Sequence, residues 1–221
     1  QAELDRRGIP SFAVDLPGHG LSLDPLTDLH GDAEALAAIL ARVGPDVVLV
    51  GHSYGGAVIS QADLGGQVSR LVYLAALVPE EGQDGASVMA GFPPSERPEG
   101  AAKGAGDPGL FQRQPDGTLL PDPARGPSVV YNTCTPMEVA AAMARIGPQR
   151  AATLRQPTTR ANWRDVPSTY IRCLRDRAVP LAGQDQMASR CTDVVDIDTD
   201  HSPFLCAPGP LADLLASLAR R

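Results

Sequence analysis

The sequence predicts an α/β fold built on a mainly parallel, doubly wound sheet, with one inserted cap lobe. Short apolar segments typical of strands alternate with segments of helical spacing along most of the chain. Such alternation indicates a parallel sheet covered by helices on both faces. A serine flanked by glycines directly follows one of these strands. The polar residues singled out below also follow strands, which is where sites lie in sheets of this kind.

Three elements precede the glycine-flanked serine. Ser11–Val14 is predicted to form a strand that stops in the turn of residues 15–20. Asp28–Val43 is predicted to form a helix, because its apolar residues share one face and Gly44-Pro45 can end it. Val47–Val50 is a run of aliphatic residues and is predicted to form a buried strand.

The segment Gly51-His52-Ser53-Tyr54-Gly55-Gly56 follows that strand and fits the strand–turn–helix nucleophile elbow. The turn is so tight that the serine backbone is expected to be strained. Side chains at Gly51 and Gly55 are expected to collide with the neighbouring strand or helix. The strain would present the Ser53 hydroxyl beside the unpaired N–H groups of a helix N-terminus. That helix is predicted to end at about Leu64.

After a further predicted strand at Val68–Ala76, the composition of the chain changes. Proline and glycine become dense, and the one strong helical stretch is Met137–Ile146. We therefore expect residues 78–159 to form a cap lobe inserted into a core of residues 1–77 and 160–221. Part of the lobe is expected to pack, because a structureless loop of that length is unusual in a compact fold. Five apolar residues are candidates either for lining a pocket or for ordinary packing: Met89, Phe92, Leu110, Phe111 and Tyr131.

The alternation of strands and helices resumes after the lobe. The sequence predicts a strand, a short helix, a last strand and a closing helix, at Thr169–Leu174, Leu181–Ala188, Val194–Ile197 and Pro210–Arg220. The closing helix carries four leucines on one face, Leu211, Leu214, Leu215 and Leu218.

A serine hydroxyl needs a general base before it can act as a nucleophile, and histidine suits that role near neutral pH. His201 is the candidate base because it follows the last strand, and the chain order Ser…Asp…His places the base last; the alternative is a solvated loop histidine. His30 lies inside a predicted helix, away from any strand end. His52 is adjacent to Ser53 and is expected to point in another direction. His19, after the first strand, is a minor candidate for lining the site.

Asp176 is the candidate for the carboxylate that orients the histidine, because it follows a predicted strand directly. The alternative for Asp176 is an exposed ion pair with a neighbouring arginine. Asp198 and Asp200 are too close in sequence to His201 to approach its ring easily.

These segments resemble the α/β-hydrolase superfamily, and within it the small methyl-esterase and hydroxynitrile-lyase-like enzymes. The resemblance covers essentially the whole chain and rests on four motifs, Asp15–Gly20, Gly51–Gly56, Asp176–Pro180 and His201–Phe204, with a cap-like segment at Tyr131–Ile146. It implies Ser53 as nucleophile, His201 as base and Asp176 as orienting acid. It also implies the backbone N–H of Tyr54 as one donor of the oxyanion hole.

The chain departs from that family at its start. In the family a strand precedes the first helix, and the loop after it supplies the second oxyanion donor, whereas residues 1–8 look like the end of that helix. We therefore expect a central strand, between Ser11–Val14 and Val47–Val50, to be absent. Such a loss would leave backbone groups unpaired, and losing one oxyanion donor costs about 10²–10³-fold in kcat. The hypothesis is an N-terminally truncated product that is weakly active or inactive by itself.

Composition limits the class of protein and its partners. A length of 221 residues fits one domain with at most one inserted lobe. The net charge of −7, without a basic stripe, argues against a nucleic-acid partner. No apolar run approaches the roughly 18 residues of a membrane span, and no signal peptide is recognisable, so we expect no membrane partner and a cytoplasmic location. A small-molecule ester is the expected partner, and a homodimer stays open.

The cysteines are scattered, without the short spacings typical of zinc ligands: Cys134, Cys173, Cys191 and Cys206. We therefore expect no metal site and no cofactor, and nothing in the spacing argues for a disulfide. Cys173 lies in a predicted strand and is expected to be a small core residue.

The leading hypothesis is a serine hydrolase that cleaves small carboxylic esters through an acyl-enzyme. The resemblance implies that a hydroxynitrile lyase of this fold would place a lysine beside the catalytic histidine. Ser202 stands at that position, and Lys103, the one lysine, lies in the lobe. A C–C bond hydrolase of the same fold and a non-catalytic small-ligand binder are two further hypotheses.

Overall fold

The computed structural model describes residues 1–92 and 110–220. The strands are β1 (Val47–His52), β2 (Val68–Leu74), β3 (Phe111–Arg113), β4 (Thr118–Pro121), β5 (Gln149–Arg150), β6 (Ser168–Cys173) and β7 (Asp193–Ile197). The α-helices are α1 (Ala2–Asp5), α2 (Leu29–Leu40), α3 (Gly55–Gln61), α4 (Gly85–Ala90), α5 (Gly126–Val130), α6 (Pro136–Met143), α7 (Leu181–Ala188), α8 (Pro203–Cys206) and α9 (Pro208–Ala219). Two 3₁₀ helices lie at Ala151–Leu154 and Asn162–Arg164.

Four parallel strands form the central sheet, in the order β1-β2-β6-β7. Helix α3 connects β1 to β2 and helix α7 connects β6 to β7, while the long segment between β2 and β6 leaves the sheet and returns to it. This arrangement confirms the predicted α/β class and the parallel sheet. Because all four strands run the same way, their carboxyl ends meet at one edge, where a site is expected.

The core lies on both faces of this sheet, because successive side chains of a strand point to opposite faces. In β2, Leu71 and Tyr73 pack on one side, whereas Val72 and Leu74 pack on the other. Helices α2, α3 and α7 cover the first side, and α9 covers the second. The side chains at the centre of β2 are 0–2% exposed, so the sheet is a rigid support for the loops at its carboxyl edge.

The prediction that Ser11–Val14 forms a strand is wrong. Residues 9–16 have no strand hydrogen bonds, and β1 forms one edge of the described sheet. Val14 and Leu16 nevertheless pack against the core, while Phe12 is 74% exposed. The physical reason is that a strand is stabilised by the ladder it shares with a neighbour, and no described strand lies beside this segment.

Capping residues set the ends of two predicted helices. The Asp28 carboxylate accepts a hydrogen bond of 3.0 Å from the Gly31 N–H and starts α2. At α6, Thr135 and Glu138 form a capping box around Pro136. Both helices end a few residues earlier than the periodicity predicts, because apolar spacing continues into the turns that follow them.

The segment predicted as a lobe contains the antiparallel sheet β3-β4-β5 and helices α4, α5 and α6. Leu110 is buried against Val129 and Ala178, and Phe111 packs on the same cluster. Met89 and Phe92 pack against the main core. These four apolar residues therefore have packing roles, and Tyr131 is half-buried just after α5. Lys103 and most of the proline- and glycine-rich stretch lie outside the described residues.

The longest helices of the described segments, α2 and α9, have 12 residues each. Neither these nor any other helix within residues 1–92 and 110–220 has the length and apolar character to cross a bilayer.

Candidate active site

Ser53 occupies a strained turn between β1 and α3. Its φ angle is 52°, in the left-handed region that residues other than glycine rarely adopt. Backbone hydrogen bonds hold it there: its N–H donates to Leu74 O at 3.2 Å, and its carbonyl accepts from Leu77 N at 3.0 Å. Such a conformation costs about 1–3 kcal/mol and persists only where the surroundings enforce it. The end of β2 supplies that enforcement.

The crowded glycines of the turn are Gly51 and Gly56. A Cβ atom at Gly51 would lie 2.6 Å from Gly55 O, and one at Gly56 would lie 2.2 Å from Leu77 O. The expected collision at Gly55 is wrong, because a Cβ atom there would meet nothing within 4 Å among the described residues. The turn thus needs a glycine where α3 packs against the end of β2, whereas no described residue crowds its other side at Gly55.

We expect Gly56→Ala to destabilise the protein by about 1–3 kcal/mol or more, because the added methyl group would press on backbone atoms that cannot move aside easily. The matched variant Gly55→Ala is expected to leave stability unchanged or to raise it by up to about 1 kcal/mol, as alanine favours a helix more than glycine does. Urea unfolding of both variants measures the difference. Equal free energies of unfolding would contradict the assigned crowding.

The structure brings Asp176 and His201 together. Asp176 follows β6, His201 follows β7, and His201 Nδ1 lies 2.7 Å from Asp176 Oδ2. The Asp176 side chain is fully buried and that of His201 is 7% exposed. The other carboxylate oxygen, Oδ1, accepts the N–H groups of Ala178 and Val179 at 2.7 and 3.0 Å. An ionised Asp176 therefore fixes the proton on Nδ1 and leaves Nε2 as the basic nitrogen.

The alternative role for Asp176, an ion pair with a neighbouring arginine, is not what the structure shows. Arg175 pairs with Asp198 at 2.9 Å instead, at the surface. Asp176 makes its hydrogen bonds inward, to His201 and to the backbone at the start of α7.

His52 supports the main chain of His201. Its Nε2 lies 2.7 Å from His201 O, and the two ring centroids are 4.6 Å apart. Phe204 contacts the His52 ring edge-on at 5.0 Å. Burial, and to a smaller extent the neighbouring His201, lower the pKa of His52 to about 3. Neutral His52 therefore donates its Nε2–H to the carbonyl of His201, and this nitrogen is not available as a base for Ser53.

We expect acidification to destabilise the protein through His52. Its pKa is about 3 when folded and about 6.5 in the unfolded chain. Between these values the unfolded chain binds more protons, so stability falls as the pH falls from 6.5 toward 3, by at most about 1.4 kcal/mol per pH unit for one proton. His52→Gln, which keeps a donor, should flatten this dependence, whereas His30→Gln on α2 should not. Identical pH profiles for wild type and His52→Gln would contradict this role.

The structure does not join Ser53 to His201 by a hydrogen bond. Within residues 1–92 and 110–220, the Ser53 hydroxyl has no hydrogen-bond partner. The two residues nevertheless share one sheet edge, because Ser53 directly follows His52, whose ring contacts that of His201. The two remaining histidines form no hydrogen bond with Ser53 or His201 among the described residues. His30 lies in α2. His19 lies in the loop before α2, and its Nδ1 is 3.0 Å from Pro17 O.

Tyr54 lies between the serine and α3. Its backbone N–H has no acceptor among the described residues, as is usual at a helix N-terminus. Its phenol donates to Asp32 Oδ2 at 2.7 Å, and Asp32 is 1% exposed. Burial raises the pKa of Tyr54, and the Asp32 carboxylate raises it further. The phenol therefore stays protonated and anchors the turn to α2.

Sequence reasoning missed Asp32 and the role of Asp200. Asp32 lies on the buried face of α2, between Leu29 and Leu36. A carboxylate among the apolar residues of a helix face is the sequence feature that could have indicated a buried polar contact. Asp200 is fully buried and accepts the N–H groups of Thr133 at 2.7 Å and Ser202 at 2.9 Å. Burial raises the pKa of Asp200, but the hydrogen bonds that the carboxylate accepts, first of all from these amides, together outweigh it and leave the pKa below its usual value.

Asp200 also connects the segment before α6 to the loop after β7 that carries His201. Thr133 belongs to residues 131–135, between α5 and α6, and Asn132 in the same segment donates to Arg175 O at 3.1 Å. These hydrogen bonds place the segment beside both loops that carry the candidate residues Asp176 and His201.

Comparisons with known proteins agree with this architecture. A family model described as "Alpha/beta hydrolase family" matches residues 1–214. Alpha/beta hydrolase nvfD of Aspergillus novofumigatus is 32% identical over 225 residues, covering 95% of this chain and 85% of that protein. Methylesterase 17 of Arabidopsis thaliana is 27% identical, covering 96% of this chain and 82% of that protein. Among solved structures, a pyrethroid hydrolase from Sphingobium faniae has a TM-score of 0.80 and 28% identity, covering 98% of this chain and 88% of that chain.

The superfamily expected from the sequence motifs is thus confirmed. With the match over residues 1–214 and a relative 32% identical along nearly the whole chain, this protein belongs to the alpha/beta hydrolase family.

Proposed function

We propose that this alpha/beta hydrolase cleaves small carboxylic esters through an acyl-enzyme. Ser53 is the nucleophile, His201 the general base and Asp176 the orienting acid. The observation that carries the proposal is the buried 2.7 Å hydrogen bond between Asp176 and His201, at the sheet edge where the strained Ser53 lies. A base with a fixed tautomer beside a serine of this kind suits nucleophilic catalysis.

The histidine is held at two points. Asp176 binds the ring at Nδ1, and His52 binds the backbone carbonyl of the same residue. The other ring nitrogen, Nε2, has no hydrogen-bond partner among the described residues and is then the atom that takes the Ser53 proton. Catalytic hydrogen bonds often form fully only in the substrate complex, so their absence in the free protein is compatible with this role.

Acylation begins when Ser53 Oγ attacks the ester carbonyl carbon and its proton passes to His201 Nε2. The carbonyl oxygen becomes an oxyanion, and the Tyr54 N–H, which has no acceptor among the described residues, stabilises it. The C–O bond to the alcohol then breaks, and His201 protonates the departing alkoxide. A water molecule, deprotonated by His201, attacks the acyl carbon; as the bond to Ser53 Oγ breaks, His201 returns that proton to Oγ, and the acid and free Ser53 are released.

The similar proteins support an ester of a small molecule. One is a methylesterase and another a pyrethroid hydrolase. We further propose that residues 78–159 act as a cap over the site. The hydrogen bonds from Thr133 to Asp200 and from Asn132 to Arg175 support this role, because they hold the segment against the loops of the site.

Turnover of p-nitrophenyl acetate and of simple methyl esters tests the proposal. His201→Ala should lower kcat/KM by at least about 10³-fold, since the variant loses the group proposed to take the serine proton. The matched variant His30→Ala alters a histidine on α2 and should keep wild-type activity. If wild type and His201→Ala were equally slow, the protein would be a small-ligand binder rather than an esterase.

A further inference from the structure

Two thiols and a carboxylate lie close together at the loop after β7 that carries His201, and the proposed hydrolysis uses none of them. Cys134 precedes α6, Asp200 follows β7, and Cys206 ends α8. Their ligand atoms all lie within 4.8 Å of one another. The three residues come from parts of the chain up to 72 positions apart, as the numbers 134 and 206 show, so spacing in the sequence could not reveal them.

The distances in this cluster suit a small ion. Cys134 Sγ lies 3.6 Å from Asp200 Oδ2, and Cys206 Sγ lies 3.3 Å from Asp200 Oδ1. Tetrahedral zinc with S and O ligands at about 2.3 and 2.1 Å has an S···O edge of about 3.6 Å. Each thiol is placed to donate its S–H to a different oxygen of the Asp200 carboxylate, so a cation that replaced both protons would lie between the two sulfurs and Asp200.

The charge of Asp200 favours a cation at this place. Asp200 is fully buried, and the groups that compensate it are the amides of Thr133 and Ser202 and the two thiols. In the described part of the chain, Asp200 forms no ion pair with an arginine or a histidine. A buried carboxylate compensated by dipoles alone gains from a metal ion in contact with it.

A second observation points to a ligand. The Thr133 hydroxyl oxygen is buried and lacks a hydrogen-bond partner among the described residues. Thr133 lies directly beside the cluster, because its backbone N–H donates to Asp200 Oδ2 at 2.7 Å. A buried hydroxyl without a partner is unfavourable, and it can become a fourth ligand or anchor a metal-bound water.

We propose that Cys134, Asp200 and Cys206 form a binding site for one thiophilic divalent cation, with Zn²⁺ as the natural choice. Two sulfur ligands select such ions over Mg²⁺ and Ca²⁺, which prefer oxygen. On binding, each thiol releases its proton to solvent, so two thiolates and one carboxylate bring three negative charges to the ion. The ion would link the segment before α6 to the loop that carries His201. The site does not depend on the proposed esterase activity.

Zinc titration of the reduced, metal-free protein against a chromophoric chelator tests this site. We expect one equivalent to bind, and Cys134→Ser and Cys206→Ser each to weaken binding by at least about tenfold. Cys191→Ser changes a partly buried cysteine outside the cluster and should bind as wild type does. Equal affinity in wild type and in the Cys134→Ser/Cys206→Ser double variant would overturn the site, as would Mg²⁺ binding as tightly as Zn²⁺.

A measurement on the wild-type chain avoids any dependence on variant folding. Cd²⁺ bound by two thiolates gives a charge-transfer absorption in the ultraviolet, and the ion should slow alkylation of Cys134 and Cys206 but not of Cys191. Peptide mass spectrometry after brief alkylation locates the protected residues. Protection of neither Cys134 nor Cys206, or equal protection of Cys191, would contradict the proposal.

Discussion

Ser53→Ala is expected to lower kcat for p-nitrophenyl acetate by at least about 10⁴-fold without unfolding the protein. The loss follows because the variant has no hydroxyl to form the acyl-enzyme, and the remaining activity would come from substrate binding and the Tyr54 N–H alone. Alanine keeps the Cβ atom, so the backbone strain at φ 52° stays as it is. Urea unfolding should therefore give nearly the same stability for both proteins.

The matched control for this variant is Ser217→Ala. Ser217 lies on α9 and is exposed, and its one hydrogen-bond acceptor within the described residues is Leu214 O of its own helix, at 2.7 Å. Its loss should leave turnover unchanged. Turnover of Ser53→Ala within tenfold of wild type would show that Ser53 is not the nucleophile.

Asp176→Asn should lower kcat by about 10⁴-fold, although the side chain changes little in shape. One oxygen of Asp176 accepts from the amides of Ala178 and Val179, and an asparagine would turn its oxygen toward them. Its NH₂ group would then face His201 Nδ1, which can accept from it only when deprotonated. The imidazole proton would move to Nε2, and the base could no longer take a proton from Ser53.

For Asp176→Asn, the tautomer of the His201 imidazole is measured in addition to kcat. Nitrogen NMR of the imidazole should show Nδ1 protonated in wild type and Nε2 protonated in Asp176→Asn. Asp198→Asn is the control, because Asp198 pairs with Arg175 at the surface and should change neither property. An Asp176→Asn protein that kept the wild-type tautomer and activity would remove Asp176 from the orienting role.

Local patterns predicted most of the core fold and placed each candidate residue after a strand. The pattern is continuous and aliphatic in Val47–Val50, and it is mainly apolar or β-branched in Thr169–Leu174. The structure has the strands β1 and β6 at these places. Ser11–Val14 has a similar local pattern, but strand formation depends on a neighbour that the segment itself cannot supply. The elbow showed the same limit: the sequence indicated a crowded turn, but whether Gly55 or Gly56 faces the end of β2 depends on tertiary packing.

The site was predictable where one residue follows one strand, and not where side chains meet across the fold. Asp32 reaches Tyr54 from another helix, and Asp200 is placed by an amide of Thr133, 67 residues away. Closeness in sequence argued against Asp200 as a partner for the ring of His201, and its carboxylate indeed turns to the Thr133 and Ser202 amides instead. Contacts of this kind depend on tertiary placement, for which composition and periodicity carry no signal.

The central claim is that Ser53 carries a covalent acyl group during turnover. Rapid acid quenching during p-nitrophenyl acetate hydrolysis, followed by peptide mass spectrometry, tests it directly. We predict one acetyl group on the peptide that contains Ser53, absent from Ser53→Ala and accumulated in proportion to the initial burst. Steady turnover with an unmodified Ser53 peptide, or acetylation of another residue that tracks the burst, would contradict the assignment.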